Sequence, residues 1–200
     1  MSVARPAATA ALLQVDAILQ RLSGHDAVAE VCRFLEASFG HYSWVGVYRL
    51  EGRELVLEAY TGPEATEHVR IPIEHGLCGR AARDGATVVV DDVRASSEYL
   101  ACFLSTRSEI VVPIFASGAV VGEIDIDSDR LAAFDASDRG FLEQVAGRLS
   151  AAVAAGAKPA CGRGRSYRGP RPGPANRRTG RGGPAGGSGG LPGQSRPAPG

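Results

Sequence analysis

The sequence has few cysteines, and their spacing matches neither a disulfide framework nor a zinc site. Cys32, Cys78, Cys102 and Cys161 are widely and unevenly spaced and lack the paired C-x-x-C spacing of structural zinc sites. A chain of 200 residues can bury a core without disulfides, unlike small secreted scaffolds. Each cysteine is therefore either an inert core residue or a reactive thiol.

Long apolar runs are also missing. The longest one near the start covers residues 7–13 and is followed by Gln14 and Asp16, so it is too short to span a bilayer and poorly shaped for a secretory signal. We therefore expect a soluble, cytoplasmic chain with no membrane partner.

Glycine, proline and charge are unevenly distributed. Residues 157–200 contain 13 of the 26 Gly, 8 of the 12 Pro and nine basic residues without any acid. The 22 acidic residues all lie upstream with 13 Arg, which gives about −9 for the body and +9 for the tail. This composition predicts a folded domain over 1–156 and a disordered tail over 157–200. The tail is either a biased extension or a polyanion tether, and with Tyr167 as its only aromatic residue a nucleic-acid partner is disfavoured.

Hydrophobic periodicity predicts an α+β domain. Helical spacing covers 9–22, about 26–39, 76–83 and 137–155, and Asp135 or Ser137 can cap the last helix. Alternating segments predict hairpins over 44–60 and 109–127 and short strands over 69–73 and 88–91, with Leu55, Leu57 and Ala59 on one face. Residues 92–106 are irregular. This order indicates an antiparallel β-sheet with helices packed on one face.

Three carboxylates alternate along one predicted strand. Glu123, Asp125 and Asp127 are separated by Ile124 and Ile126, so their side chains share a face. That face either meets solvent, holds a divalent metal, or forms a pocket for a cationic group such as an ammonium. The sequence offers few further metal ligands.

The cysteines differ in their predicted settings. Cys32 lies on the apolar stripe of a helix and is expected in the core. Cys78 lies between two glycines at a predicted helix start, where the helix dipole would lower the pKa of its thiol. Cys102 lies in the irregular loop and is the better candidate thiolate, although each of the two cysteines, taken alone, is more simply explained as a small buried residue. The histidines are expected at the surface or in loops: His25, His41, His68 and His75.

Four stretches together resemble a known family. They are the W-x-G-x-Y run from Trp44 to Tyr48, VRIPIEHGLCGRAA from Val69, YLACFLSTRSEIVVPI from Tyr99 and VVGEIDIDSD from Val120. They are similar to the free methionine-(R)-sulfoxide reductases, which are single GAF domains, over about residues 35–153. The resemblance implies a GAF-like fold for the domain.

The resemblance also implies roles for individual residues. It makes Cys102 the nucleophile, Cys78 the cysteine of the G-x-C-G turn, and Trp44 and Tyr48 an aromatic wall. The implied carboxylates of the ligand pocket are Glu109, Asp125 and Asp127. One position departs from the family pattern, because His68 stands where studied members have a third, commonly resolving cysteine. Cys78 would then have to resolve the oxidised nucleophile.

The implied reaction converts free methionine-(R)-sulfoxide to methionine. Cys102 attacks the sulfoxide sulfur while a protonated carboxyl delivers a proton, and the resulting sulfenic acid condenses with Cys78 to a disulfide. A thioredoxin-type reductant would reopen the disulfide, and no metal or organic cofactor is required. Homodimerisation through the terminal helices is possible by analogy with GAF domains. The alternative is a non-catalytic GAF module that binds a small ligand or senses redox state through Cys78 and Cys102.

Overall fold

A computed structural model of the chain describes residues 5–97, 99–100 and 103–156, apart from the side chains of residues 5–7. Cys102, Cys161 and the predicted tail over 157–200 lie outside the described residues. The expectations about them therefore remain predictions. Within the described ranges, no helix is both long and apolar enough to cross a membrane.

The described elements follow the predicted order closely. The helices are α1 (Arg5–Arg21), α2 (Gly24–Ser38), α3 (Gly76–Asp84) and α4 (Ala136–Gly156). The strands are β1 (Trp44–Glu51), β2 (Glu54–Thr61), β3 (Arg70–Pro72), β4 (Val88–Val90), β5 (Ser108–Ala116) and β6 (Ala119–Ser128), and a 3₁₀ turn covers Val93–Ala95.

The six strands form one sheet in the order β3-β2-β1-β6-β5-β4. Every neighbouring pair is antiparallel, so the predicted α+β class is confirmed. The tight β5–β6 turn has positive φ at both Ser117 and Gly118, 51° and 80°, which suits the twist of a two-residue hairpin. The hairpin turn and a register shift between Ile114 and Phe115 together set how the two strands pair at the centre of the site.

The main core lies on one face of the sheet. α2 and α4 pack there against side chains of the central strands, including Val45, Ile110 and Ile126, and α1 packs against α2 and α4. Cys32 is fully buried in this core, and burial raises the pKa of its thiol to about 12. Cys32 is therefore an inert core cysteine, as predicted.

A buried polar network fastens the start of α4 to the segment before β1. Asp135 Oδ1 accepts hydrogen bonds from the amides of Ser137 and Asp138, so Asp135 is the capping residue. Asp138 Oδ1 in turn accepts from the Tyr42 hydroxyl at 3.0 Å and lies 2.8 Å from His41 Nε2. His41 lies in the turn before β1, as the expected loop position allows, but it is only 4% exposed. The buried Asp138 carboxyl and the surrounding aromatic rings enclose it.

A bulge corrects the predicted facing of β2. The register with β1 slips between Val47 and Tyr48, which inserts an extra residue into the ladder. Leu55 consequently packs in the cluster with Trp44, whereas Ala59 packs in the main core on the opposite face. Simple alternation had placed both on one face.

The second face of the sheet is covered by α3 and by the segments on either side of it. Leu77, Cys78 and Ala81 of α3 pack there with Tyr48 and Val111. Three helices thus lie on one face and the short α3 on the other. This second face carries the carboxylates of β6.

Candidate functional site

Cross-strand pairing brings the carboxylates of two strands together on the second face. Along β6, Glu123, Asp125 and Asp127 share this face, and Glu109 of β5 lies directly opposite Asp127. We call these four residues the carboxyl cluster. On the other side of β6, the same three residues face Tyr48, Gly46 and Trp44 of β1, respectively.

The carboxyl cluster is buried, which overturns the interpretation that this face meets solvent. Glu109, Glu123, Asp125 and Asp127 are 5%, 0%, 1% and 2% exposed, because α3 and its neighbouring segments cover them. Among the described residues, no arginine, lysine or histidine forms an ion pair with the cluster. Both oxygens of Glu123 and Asp127 and Oδ1 of Asp125 also lack a hydrogen-bond partner of good geometry there. Such a site favours a bound cation or protonated carboxyls.

Burial raises the pKa of every carboxyl in the cluster, and for Glu109, Glu123 and Asp125 the neighbouring carboxylates add to the effect. The pKa values of Glu109, Glu123 and Asp125 lie well above their ordinary range. The pKa of Asp127 rises to about 7 through burial, against the opposing influence of the Thr106 hydroxyl. Burial and mutual repulsion thus favour the protonated form of these carboxyls.

Cys78 lies in the first turn of α3 against this cluster. Its thiol pKa is raised well above the ordinary value by burial and then by the charges of Asp125, Glu123 and Glu109. The prediction that the helix dipole would lower this pKa was wrong, because desolvation and three carboxylates outweigh the half-charge of one helix end. Cys78 Sγ and one oxygen each of Glu109 and Asp125 lie within 4.8 Å of one another.

Trp44 forms an aromatic wall beside the acidic side chains. Its indole ring lies over Gly46 and against Gly62, and a Cβ atom at either glycine would overlap the ring. Tyr60 stacks on the indole with ring centroids 5.8 Å apart, and Phe103 contacts it at 5.7 Å. Because glycine has no side chain, position 46 allows the indole ring to lie flat against β1.

Two cavities open beside the cluster. One is lined by Trp44, Phe103, Thr106 and Asp127, among others. The other is lined by Ile71, Gly76, Leu77, Cys78, Leu100 and Glu109. Phe103 and Leu100 lie on either side of residues 101–102 in the sequence. The loop that contains Cys102 thus contributes flanking residues to both cavities.

Tyr48 makes a structural contact in addition to its predicted place in the aromatic wall, and that predicted role stays a prediction. Its ring is buried on the site face, but its hydroxyl donates a hydrogen bond to the backbone carbonyl of His68 at 3.0 Å. The amide of His68 donates to Thr66 Oγ1. Tyr48 therefore holds the segment around His68, the position of the family's third cysteine, against the sheet.

The model of the GAF domain family matches residues 24–154. The chain belongs to this family. A free methionine-R-sulfoxide reductase from Escherichia coli is 34% identical over 112 residues, which are 56% of this chain and 67% of the relative. The resemblance that the motifs indicated is confirmed.

Two related proteins of known structure are also named free methionine-R-sulfoxide reductases. The type II free methionine-R-sulfoxide reductase of Thermoplasma acidophilum is 40% identical with a TM-score of 0.62, covering 70% of this chain and 94% of that one. The free methionine-R-sulfoxide reductase of Neisseria meningitidis, determined in complex with its substrate, is 37% identical with a TM-score of 0.70, covering 75% and 90%. Both structural similarities show that this chain has the GAF fold.

The GAF domain brings most of the predicted site residues together. Trp44, Cys78, Glu109, Asp125 and Asp127 all border the two cavities or the cluster between them. Cys102 lies outside the described residues, and its role stays a prediction.

Three contributors to this GAF domain site are not among the residues to which the resemblance gave a role. Glu123 belongs to the alternating acidic strand, and that alternation was the signal for it; its carboxyl interacts with the Cys78 thiol. Phe103 and Thr106 lie in the irregular 92–106 segment. For them the signal was only that a long irregular loop commonly serves a function.

Proposed function

We propose that this chain reduces free methionine-(R)-sulfoxide to methionine. The observation that carries the proposal is the buried carboxyl cluster, which has no basic partner among the described residues and lies beside the Trp44 wall and the Cys78 thiol. Such a site suits a small molecule with a cationic end and an apolar, sulfur-containing end. Relatives that carry this enzyme name support the same choice.

The amino-acid end of the substrate would be held by opposite charges. Carboxylates of the cluster accept hydrogen bonds from an ammonium, and a cation there favours their ionised form. Glu109 and Cys78 line the smaller cavity together with Gly76 at the start of α3. His75 precedes this helix without a side-chain cap, so the first amides of α3 remain available for the substrate carboxylate.

The sulfoxide end would lie against Trp44. The indole offers an apolar face for the methyl and thioether groups, and Asp127 lines the same cavity. A carboxyl with a pKa of about 7 remains substantially protonated at neutral pH, so Asp127 is a suitable proton donor to the departing oxygen. This assignment selects one donor from the cluster.

The reaction transfers one oxygen atom from sulfur to sulfur. The Cys102 thiolate attacks the sulfoxide sulfur and forms a transient S–S bond while Asp127 protonates the oxygen. The hydroxyl then moves to the Cys102 sulfur as the transient S–S bond and the S–O bond of the substrate break, which releases methionine and leaves Cys102 as a sulfenic acid. The substrate sulfur is reduced by two electrons and Cys102 is oxidised by two. The Cys78 thiol then displaces the hydroxyl, which leaves as water, and a Cys78–Cys102 disulfide forms. A thioredoxin-type dithiol in the cytoplasm reduces this disulfide and becomes a disulfide itself.

The test is reductant-coupled turnover with free R- and S-methionine sulfoxide and a peptide-bound sulfoxide. Wild type is compared with Cys102→Ser, Cys78→Ser and the core control Cys32→Ala. We expect turnover of the free R form only, which Cys102→Ser abolishes and Cys32→Ala retains. With thioredoxin, Cys78→Ser should complete one stoichiometric reduction and then stop.

The second candidate function is a GAF module that senses oxidation without turnover. Two observations favour it: His68 occupies the position of the third cysteine, and the Cys78 thiol has a raised pKa, which slows its attack as a thiolate. A folded wild type that forms a Cys78–Cys102 disulfide with peroxide, yet turns over no sulfoxide with any dithiol reductant, would establish the sensor and exclude the reductase.

A further inference from the structure

The carboxyl cluster lies against a sulfur ligand, and an ammonium makes no use of sulfur. Cys78 Sγ, Glu109 and Asp125 offer one sulfur and two oxygen atoms within 4.8 Å of one another. All three residues are buried. Thiolate and carboxylate together form a donor set that Zn²⁺ accepts, whereas Mg²⁺ prefers oxygen alone.

Glu123 provides an independent indication that this place lacks a positive charge. It is fully buried, neither of its carboxyl oxygens has a partner of good geometry among the described residues, and its side chain interacts with Cys78. An unpartnered buried carboxylate is costly. A divalent cation beside it would remove that cost.

We propose that Cys78, Glu109 and Asp125 form a binding site for a thiophilic divalent cation such as Zn²⁺, with Glu123 as the neighbouring carboxylate that balances its charge. Ligand atoms around tetrahedral zinc are separated by about 3.5 Å, from bond lengths of about 2.0–2.3 Å. The present spacing of up to 4.8 Å is therefore somewhat wider than the spacing in a zinc-bound site, and the proposal requires the three side chains to move together on binding. Binding releases the thiol proton to solvent, since the ligand is the thiolate.

The site lies where the proposed function places the substrate ammonium. If that function holds, the cation and the substrate exclude each other. The metal site itself stands on the ligand geometry alone and does not depend on turnover.

The test uses the full, reduced, metal-free chain titrated with Co²⁺, a spectroscopic substitute for Zn²⁺. We expect one Co²⁺ per chain and a thiolate-to-cobalt charge-transfer band in the near ultraviolet, which Zn²⁺ removes and Mg²⁺ does not. The band should vanish in Cys78→Ser and persist in Cys32→Ala, Cys102→Ser and Cys161→Ser.

A second set of variants keeps the test decisive if Cys78→Ser fails to fold. Glu109→Gln and Asp125→Asn should each weaken Zn²⁺ binding at least about tenfold, and Glu123→Gln about tenfold, in the range known for neighbouring groups. Glu67→Gln, on an exposed side chain, is the matched control and should bind as wild type does.

Three results would overturn the site: no charge-transfer band in wild type, a band that survives in Cys78→Ser, or a band lost in Cys102→Ser or Cys161→Ser. Turnover is measured separately, in the presence of a chelator. Failure of the metal site therefore leaves the reductase untouched, and failure of turnover leaves the cobalt spectrum untouched.

Discussion

At the scale of single residues, Gly46 determines where the aromatic wall lies. A methyl group there would overlap the indole of Trp44, so Gly46→Ala should force the ring out of its place. We expect a loss of about 1–3 kcal/mol in the free energy of unfolding, as for other overpacked sites, and a raised KM. Trp44 is the sole tryptophan, so its fluorescence reports the displacement directly.

The control is Gly140→Ala in α4, where nothing lies within 4 Å of the added Cβ. Alanine suits a helix interior better than glycine, so this variant should be as stable as wild type or more so, with an unchanged emission spectrum. Equal emission and KM in Gly46→Ala and wild type would show that the ring position does not depend on this glycine.

The Asp127 carboxyl gives stability a pH dependence of defined sign. Its folded pKa is about 7, above the ordinary value of about 4, so between these values the folded state binds more protons than the unfolded one. Its contribution therefore makes stability fall as pH rises from about 4 to about 7, with no further change above. Asp127→Asn should flatten this dependence of stability on pH. The measurement is the urea unfolding midpoint at several pH values between about 4 and about 7.

Glu67→Gln removes an exposed carboxyl and serves as the control for Asp127→Asn, so its urea midpoints should follow those of wild type at each pH. An unaltered slope in Asp127→Asn would mean that the protons are held elsewhere in the carboxyl cluster.

At the scale of elements, the polar network of Tyr42, His41 and Asp138 fixes the start of α4 to the sheet. Tyr42→Phe removes a donor from a fully buried carboxyl. We expect a loss of about 1.5–3 kcal/mol, the range for hydrogen bonds to charged groups. Tyr60→Phe removes a hydroxyl from a partly exposed ring and should cost little, so the two urea midpoints test the network. Equal urea midpoints in Tyr42→Phe and Tyr60→Phe would contradict a stabilising role for the network.

The elements themselves could be predicted because their signals are local. Helical and alternating periodicity located all four helices and both hairpins, and Asp135 was one of two predicted caps. The bulge in β2 has no such signal, so the facing of Ala59 was wrong. Alternation also showed that Glu123, Asp125 and Asp127 share a face, but not that α3 covers it. Burial depends on contacts distant in sequence, and the pKa of Cys78 follows from that burial.

At the scale of the whole molecule, every described wall of the site comes from residues 43–129. The predicted tail contains Cys161 and has a net charge of about +9, whereas the body has a net charge of about −9. Since the described walls of the site lie within residues 43–129, a chain of residues 1–156 should keep its turnover within about twofold of the full chain and its unfolding midpoint. Both are measured on the two purified chains at matched salt.

Cys161→Ser in the full chain separates two effects of the tail. If both the truncated chain and Cys161→Ser lost turnover by about tenfold or more, Cys161 would be the thiol that resolves oxidised Cys102, and Cys78 would be free to serve as a ligand alone. If only the truncated chain lost it, the charge of the tail would be responsible, and raising the salt concentration should then lower the turnover of the full chain toward that of residues 1–156. We expect neither loss, because Cys78 already lies beside the carboxyl cluster.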